Sequence, residues 1–495
     1  MADDAKDVFP RLERLDTVGG CKLSILALWI GFATIASAVE PWRFIMTCDS
    51  RGSYVTGVNA PILSELADEI LRRDVDFVLF AGDLVYGARV NPEYFEAQLW
   101  NWVQLMEPVY DAGIPVYVCR GNHEVGDMWD AAPGQPPDPL DNCAIRWLNV
   151  FGNDDYPELK LPDNGPAREK YMSYSVAHKN ALVVALDQYA GMGHRLAHDL
   201  NQSWLDSQLE GNTRPHVFVF GHEPAFRALH WDCLDYHPAR RDAFWRSLQL
   251  AGARVYLCGH DHFYDHARVD DGDGNPDNDI HQFIVGGAGA YPYVWSPPYD
   301  GNNSDFSVSQ VSHAERYGYL LIEVAGLDVT VTWMERQGSD ILRPGVYEAN
   351  DVWTYAVTGG PVVVQPNGGE RILADRPYTV KWRTIPGGEL RRVAIDYSLD
   401  GGTTWAAVDE ADNTGAYVWL PPDVHNENCL VRVADARDTA VYDTSDRPFS
   451  IVPCRANLTA DLNGDCLVDF ADLAILAAEW LACGIPTDPA DGVPK

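Results

Sequence analysis

Phe77-Val78-Leu79-Phe80-Ala81-Gly82-Asp83-Leu84-Val85-Tyr86 decides how the rest of the chain is read. Four apolar residues run together without alternation, the pattern of a strand buried on both faces, and they lead to a glycine and a carboxylate. The same order recurs on either side. Val116-Tyr117-Val118 leads to Gly121-Asn122-His123-Glu124, and Val217-Phe218-Val219-Phe220 leads to Gly221-His222-Glu223. Asp49-Ser50-Arg51-Gly52 lies upstream and Gly259-His260-Asp261-His262 downstream. Each apolar run hands over to carboxylate, amide or imidazole groups. The five sets are therefore expected to converge outside the carboxyl ends of an open α/β sheet, where such folds place their sites. Gly82, Gly121, Gly221 and Gly259 are expected to let each strand turn sharply, which a Cβ resists.

In this order the motifs resemble the calcineurin-like metallophosphoesterases, over about residues 42–335. The resemblance implies an α/β fold, a four-layer αββα sandwich, with two transition-metal ions: iron paired with zinc, manganese or a second iron. A shared aspartate, matching Asp83, would bridge them. The first ion would take Asp49, Asp83 and His262, and the second Asp83, Asn122, His222 and His260. The chemistry implied is in-line attack of metal-bound hydroxide on phosphorus. His123 would stand near the leaving group as proton donor or phosphate contact.

One position departs from the family's commonest first motif, Asp-x-His: Arg51 stands where that histidine would be. Tyr86, three residues after Asp83, matches the purple acid phosphatase branch, in which a tyrosinate binds ferric iron. Two readings stay open. Either Tyr86 replaces the missing ligand, or it packs and Arg51 reaches the substrate phosphate with its planar fork of donors. Asp261 and Glu124 are expected to orient the ligating imidazoles. His230 and the remaining histidines read as surface or pocket-lining residues.

The chain has 495 residues, enough for several domains, with Lys+Arg 37 against Asp+Glu 72 and a net charge of -35. That balance argues against nucleic acid or anionic membrane as a primary partner. Leu23 to Val39 is apolar and contains Ala36-Ser37-Ala38, so residues 1–40 read as an export signal or N-terminal anchor. No transmembrane segment is expected after signal cleavage, which places the protein outside the cell, at its surface or in a periplasm. The catalytic domain is expected over 41–340 and a linker over 341–360.

From 361 to 453 short alternating runs such as Thr379-Val380-Lys381-Trp382 predict a small β-sandwich, similar to immunoglobulin-like or fibronectin-like modules. Residues 454–495 carry Asp461-Leu462-Asn463-Gly464-Asp465, then Asp469 and Asp472, ahead of a helix expected over Phe470 to Leu481. This resembles a single dockerin repeat. It implies an EF-hand-like Ca2+ site built from Asp461, Asn463, Asp465, Asp469, Asp472 and the Leu467 carbonyl, with a cohesin-like or cell-surface partner. Cys48, Cys119 and Cys258 are expected as buried thiols, and Cys143 with Cys233 and Cys454 with Cys483 as pairs formed after export. The functional expectation is a secreted dinuclear-metal phosphoric ester hydrolase acting on small phosphate esters, first of all a phosphomonoesterase. A phosphodiesterase or nucleotidase of the same fold is the alternative, and a non-catalytic surface binding protein is the contrasting class.

Overall fold

The computed structural model describes residues 40–87, 92–125, 142–189, 198–272, 275–299, 305–357, 359–385, 390–454, 459–462, 466, 468 and 470–478. The expected export signal, the calcium candidates Asn463, Asp465, Leu467 and Asp469, and Cys483 lie outside the described residues.

The first part of the chain alternates strand and helix: β1 Trp42–Thr47, α1 Ala60–Arg72, β2 Phe77–Phe80, α2 Pro92–Asp111, β3 Val116–Val118, α3 Asn122–Val125, α4 Asn142–Phe151, β4 Tyr174–His178, β5 Ala181–Ala185, α5 Gln202–Glu210, β6 His216–Phe220, α6 Pro238–Leu250 and β7 Val255–Cys258. Strands then dominate, with β8 Tyr264–Asp270, β9 Ile280–Val285, β10 Ser307–Ala314, β11 Gly318–Ala325, β12 Asp328–Gln337 and β13 Val346–Ala356. They form a six-stranded sheet, β13-β12-β11-β1-β2-β3, and a seven-stranded sheet, β10-β8-β9-β7-β6-β5-β4. The motif-bearing strands run parallel within each sheet, β1 with β2 and β2 with β3, β6 with β7, so their carboxyl ends share one edge.

Residue alternation along β5 divides the cores. Ala181, Val183 and Ala185 face the core between the two sheets, which also takes in α1, α2 and α4. Leu182 and Val184 face the opposite way, onto Leu205 and Leu209 of α5 and Phe244, Trp245 and Leu248 of α6. The order of layers is helix, sheet, sheet, helix. Helix α2 buries Phe95, Leu99, Trp102, Met106 and Val109 at helical spacing, each worth about 1.5–3 kcal/mol for a fully buried side chain. The Trp102 indole also donates to Ser50 Oγ at 3.1 Å, tying this packing to the first motif.

One boundary and one cysteine pairing differ from expectation. Residues 346–356, expected within a linker, form β13, paired with β12 from Asp328↔Ala356 to Gln337↔Val346. A bulge at Asn350, between the Asp351↔Trp333 and Ala349↔Met334 pairs, breaks the alternation that would otherwise announce this edge strand. Cys454 pairs with Cys466, not with Cys483, while Cys143 and Cys233 remain buried thiols.

Among the described residues the C-terminal region is β apart from one helix. Pro361–Gln365, Tyr378–Thr384 and Ala416–Trp419 make one sheet; Arg371–Leu373, Arg392–Ser398, Ala406–Asp412, Asn426–Asp435, Tyr442–Thr444 and Phe449–Val452 make the other. Val363, Val380, Trp382, Ile395, Val431, Val433 and Ile451 fill the core between them. Helix α7, Phe470–Ala478, follows a segment in which Asp472 accepts from Leu462 N at 2.6 Å and Asp461 from Cys466 N at 2.8 Å. Among the described residues no helix is long and apolar enough to cross a membrane.

Candidate metal centre

β1 ends at Thr47 and delivers Asp49; β2 delivers Asp83, and β3 delivers Asn122 at the start of α3. From the second sheet, β6 delivers His222 and β7 delivers His260 and His262. The turns are stitched together by main-chain bonds, Asp49 N to Gly82 O and Arg51 N to Asp83 O, both 3.2 Å. Asp49 Oδ2 accepts from His260 N across the sheets at 2.9 Å.

The sharp turns are made chiefly by the functional residues themselves. Asp49, Asp83 and His260 have φ of 63°, 48° and 70°, the left-handed region that costs a residue with a Cβ on the order of 1–3 kcal/mol. Of the four glycines expected to turn the strands, only Gly82 has positive φ, 85°. Gly121 serves close approach instead, since a Cβ there would come within 2.5 Å of Asp83 N.

Around Asp83 Oδ1 the donor set is tight. His222 Nε2 lies 3.3 Å from it, 3.1 Å from Asn122 Oδ1 and 3.2 Å from His260 Nδ1. His222 Nδ1 donates to the Ala81 carbonyl at 2.8 Å, which leaves Nε2 as a lone pair. Burial pushes the His222 pKa down to about 4, so the ring is neutral. A lone pair, a carboxylate oxygen and an amide oxygen meeting at such distances repel unless a cation lies between them. His260 Nε2 faces Asp232 Oδ1 at 3.4 Å; burial opposes its charge, but Asp232 and Asp261 hold its pKa up to about 9.

On the Oδ2 side, ligand atoms of Asp49, Asp83 and His262 lie within 4.8 Å of one another. Asp49 is fully buried and its Oδ1, 3.6 Å from His262 Nε2, has no hydrogen-bond partner among the described residues. Burial, and then the Asp83 charge, push Asp49 up to about 8. Burial would raise Asp83 as well, yet His222, His123 and Arg51 hold it below the carboxylate range. Two buried carboxylates side by side resist ionising together, and cations remove that conflict. The residues on both sides of Asp83 fit bound metal ions.

Arg51 is inside this corner. Its Nε stands 3.2 Å from Asp83 Oδ2, and its Nη2 is 3.0 Å from His262 Nε2 and 3.1 Å from the Tyr293 hydroxyl. Tyr293 stacks on His262 at 4.1 Å between centroids. Tyr86 keeps other company, its ring edge-on to Tyr54 at 5.5 Å and to His123 at 5.8 Å. His123 Nδ1 bonds the Tyr86 carbonyl, and its Nε2 faces Asp83 Oδ2 at 3.9 Å.

Residues 56–264 match the family described as calcineurin-like phosphoesterase. The chain carries a calcineurin-like phosphoesterase domain. The match takes in Asp83, Asn122, His222, His260 and His262, and begins after Asp49 and Arg51, the motif in which this chain departs. Tartrate-resistant acid phosphatase type 5 of Mus musculus is 23% identical over 352 residues, 65% of this chain and 95% of that protein. Its counterpart in Rattus norvegicus is 23% identical over 303 residues, 56% of this chain and 81% of that protein. The protein is a metal-dependent phosphoesterase.

Two supporting carboxylates of this phosphoesterase domain act differently from expectation. Glu124 accepts from Asp83 N at 2.8 Å, Gly121 N at 2.7 Å and Val85 N at 3.2 Å, clamping the Asp83 turn, and hydrogen-bonds no imidazole among the described residues. Asp261 accepts from the main chain of Leu229 and His230 and from the His230 ring, so it orients His230. His230, Asp232 and Tyr293 all line the centre, and sequence reading assigned none of them to it. The first two lie in the loop after β6 and the last in the loop after β9, and neither loop carries a periodic pattern that points to the centre.

Proposed function

We propose that the protein is a secreted, acid-phosphatase-like phosphomonoesterase acting on small phosphate esters. The observation that carries this reading is the crowding of Asp83 Oδ1, Asn122 Oδ1, His222 Nε2 and His260 Nδ1, a donor set that calls for a cation. Two transition-metal ions, when bound, supply an activated water and neutralise charge on the phosphoryl oxygens. Asp83 would serve both ions, with Asp49 and His262 holding one and Asn122, His222 and His260 the other. His123 protonates the leaving group from Nε2, because its Nδ1 is engaged by the Tyr86 carbonyl. Arg51 offers its guanidinium fork to the phosphoryl oxygens. The positions of Tyr86 and Tyr293 favour packing for the former, so the tyrosinate ligand is not part of this reading. The acid phosphatase names of the two relatives support monoester over diester chemistry.

On the same footing, Asp461 and Asp472 belong to a calcium-binding segment, and the exposed Phe470, Leu473 and Leu476 of α7 face a cohesin-like or cell-surface partner. Calcium titration of the full chain tests this, with a saturable change in far-ultraviolet circular dichroism expected.

The functional test compares hydrolysis of p-nitrophenyl phosphate with bis(p-nitrophenyl) phosphate, using metal-loaded protein and a chelated control. Chelator-sensitive monoester turnover is expected. Preference for the diester moves the assignment to a phosphodiesterase, and absence of turnover with both ions bound favours a binding protein.

A further inference from the structure

The two sides of Asp83 differ in one respect that bears on how they fill. His262 Nδ1 is 3.0 Å from the Tyr291 carbonyl, which can only accept, so the Nδ1 proton is fixed there and Nε2 carries the ring's one lone pair. That lone pair accepts from Arg51 Nη2 at 3.0 Å. The same guanidinium approaches Asp83 Oδ2 with Nε at 3.2 Å and donates to Tyr293 Oη from Nη2 at 3.1 Å. An ion held by Asp49, Asp83 and His262 needs the lone pair that Arg51 uses. Across the carboxylate, the partners of His222 Nε2 are Asn122, Asp83 and His260, and among the described residues no arginine or lysine bonds to the side chains of Asn122, His222 or His260.

We propose that Arg51 is a built-in competitor for the first metal position, so that the guanidinium and the ion occupy it exclusively and the two positions fill in a fixed order. This rests on the reading of the site as a dinuclear centre. The position of Asn122, His222 and His260 fills first and tightly. The position of Asp49 and His262 fills second and weakly, because each ion bound there must displace Arg51 from a lone pair and a carboxylate oxygen. Displacement also frees the guanidinium to meet the phosphoryl group. Arg51 is thereby a residue that couples metal loading to substrate binding, which a histidine at the same place would not do.

The test is calorimetric titration of metal-stripped full-length protein with Zn2+, with metal content per chain counted by mass spectrometry. Native protein is expected to bind two ions in separated steps, the second at least tenfold weaker. Arg51→Ala is expected to tighten the second step tenfold or more and to leave the first within twofold. Arg51→Lys keeps the charge but has no fork to hold both partners. It should also tighten the second step, by less than Arg51→Ala, whereas a purely electrostatic effect would leave it at the native value. Should Arg51→Ala fail to fold, Arg51→Lys and Arg51→His carry the same comparison, the last supplying an imidazole in place of the competitor. Equal affinities in native protein, or a second step unmoved by all the substitutions, would overturn the proposal, and so would the absence of any tight step. Stepwise filling without turnover on any phosphate ester would support the competition while removing the phosphatase reading.

Discussion

The two oxygens of Asp83 look onto unlike neighbourhoods. On the Oδ1 side the neighbours are an amide oxygen and two imidazoles, held by the Ala81 carbonyl and Asp232, with no arginine or lysine among the described residues bonded to them. On the Oδ2 side a buried carboxylate and an imidazole share their corner with Arg51. The difference teaches that a ligand set is not defined by its ligands alone. Asp49 and His262 are as buried as His222, yet one lone pair is already in use.

The sharpest way to break both halves together is Asp83→Asn. Turnover is expected to fall by more than about 10³-fold, the upper range for one electrostatic group, with circular dichroism showing a retained fold. His123→Ala separates chemistry from metal holding. It is expected to lower kcat by about 10²–10⁴-fold while metal content per chain stays native, whereas a loss of metal would assign His123 to the ligand set. Glu124→Gln tests the clamp beneath the shared aspartate. Weakening one of three main-chain bonds to that carboxylate should cost both halves about 10–100-fold in metal affinity, measured by competition with a chromophoric chelator. Tyr293→Phe is the mildest change and acts on one half only. Removing the hydroxyl takes one hydrogen bond from Arg51, about 0.5–1.5 kcal/mol, and should tighten the Oδ2 position severalfold with no change at the other. An equal change at both positions would break the asymmetry.

Much of this was legible in the sequence because uninterrupted runs such as Phe77 to Phe80 and Val217 to Phe220 mark strands buried on both faces, and the residues after them are then obliged to share an edge. The convergence of Asp49, Asp83, Asn122, His222, His260 and His262 follows from that rule. The company of each ligand does not. Tyr293 and His230 reach the centre by loop paths that have no periodicity to read. The left-handed backbone at Asp49, Asp83 and His260 is imposed by the two sheets meeting, and local sequence pointed instead to the glycines. β13 was hidden by the bulge that breaks its alternation at Asn350, although Asp351 within it bonds Tyr264 and His266 across to the other sheet.

The most direct measurement is anomalous diffraction at the zinc edge from crystals soaked in excess Zn2+. Two peaks are expected astride the Asp83 carboxylate, each at about 2.0–2.2 Å from its ligand oxygens, the stronger beside Asn122, His222 and His260. Peaks that lie away from Asp83, or a single peak shared by neither side, would contradict the account.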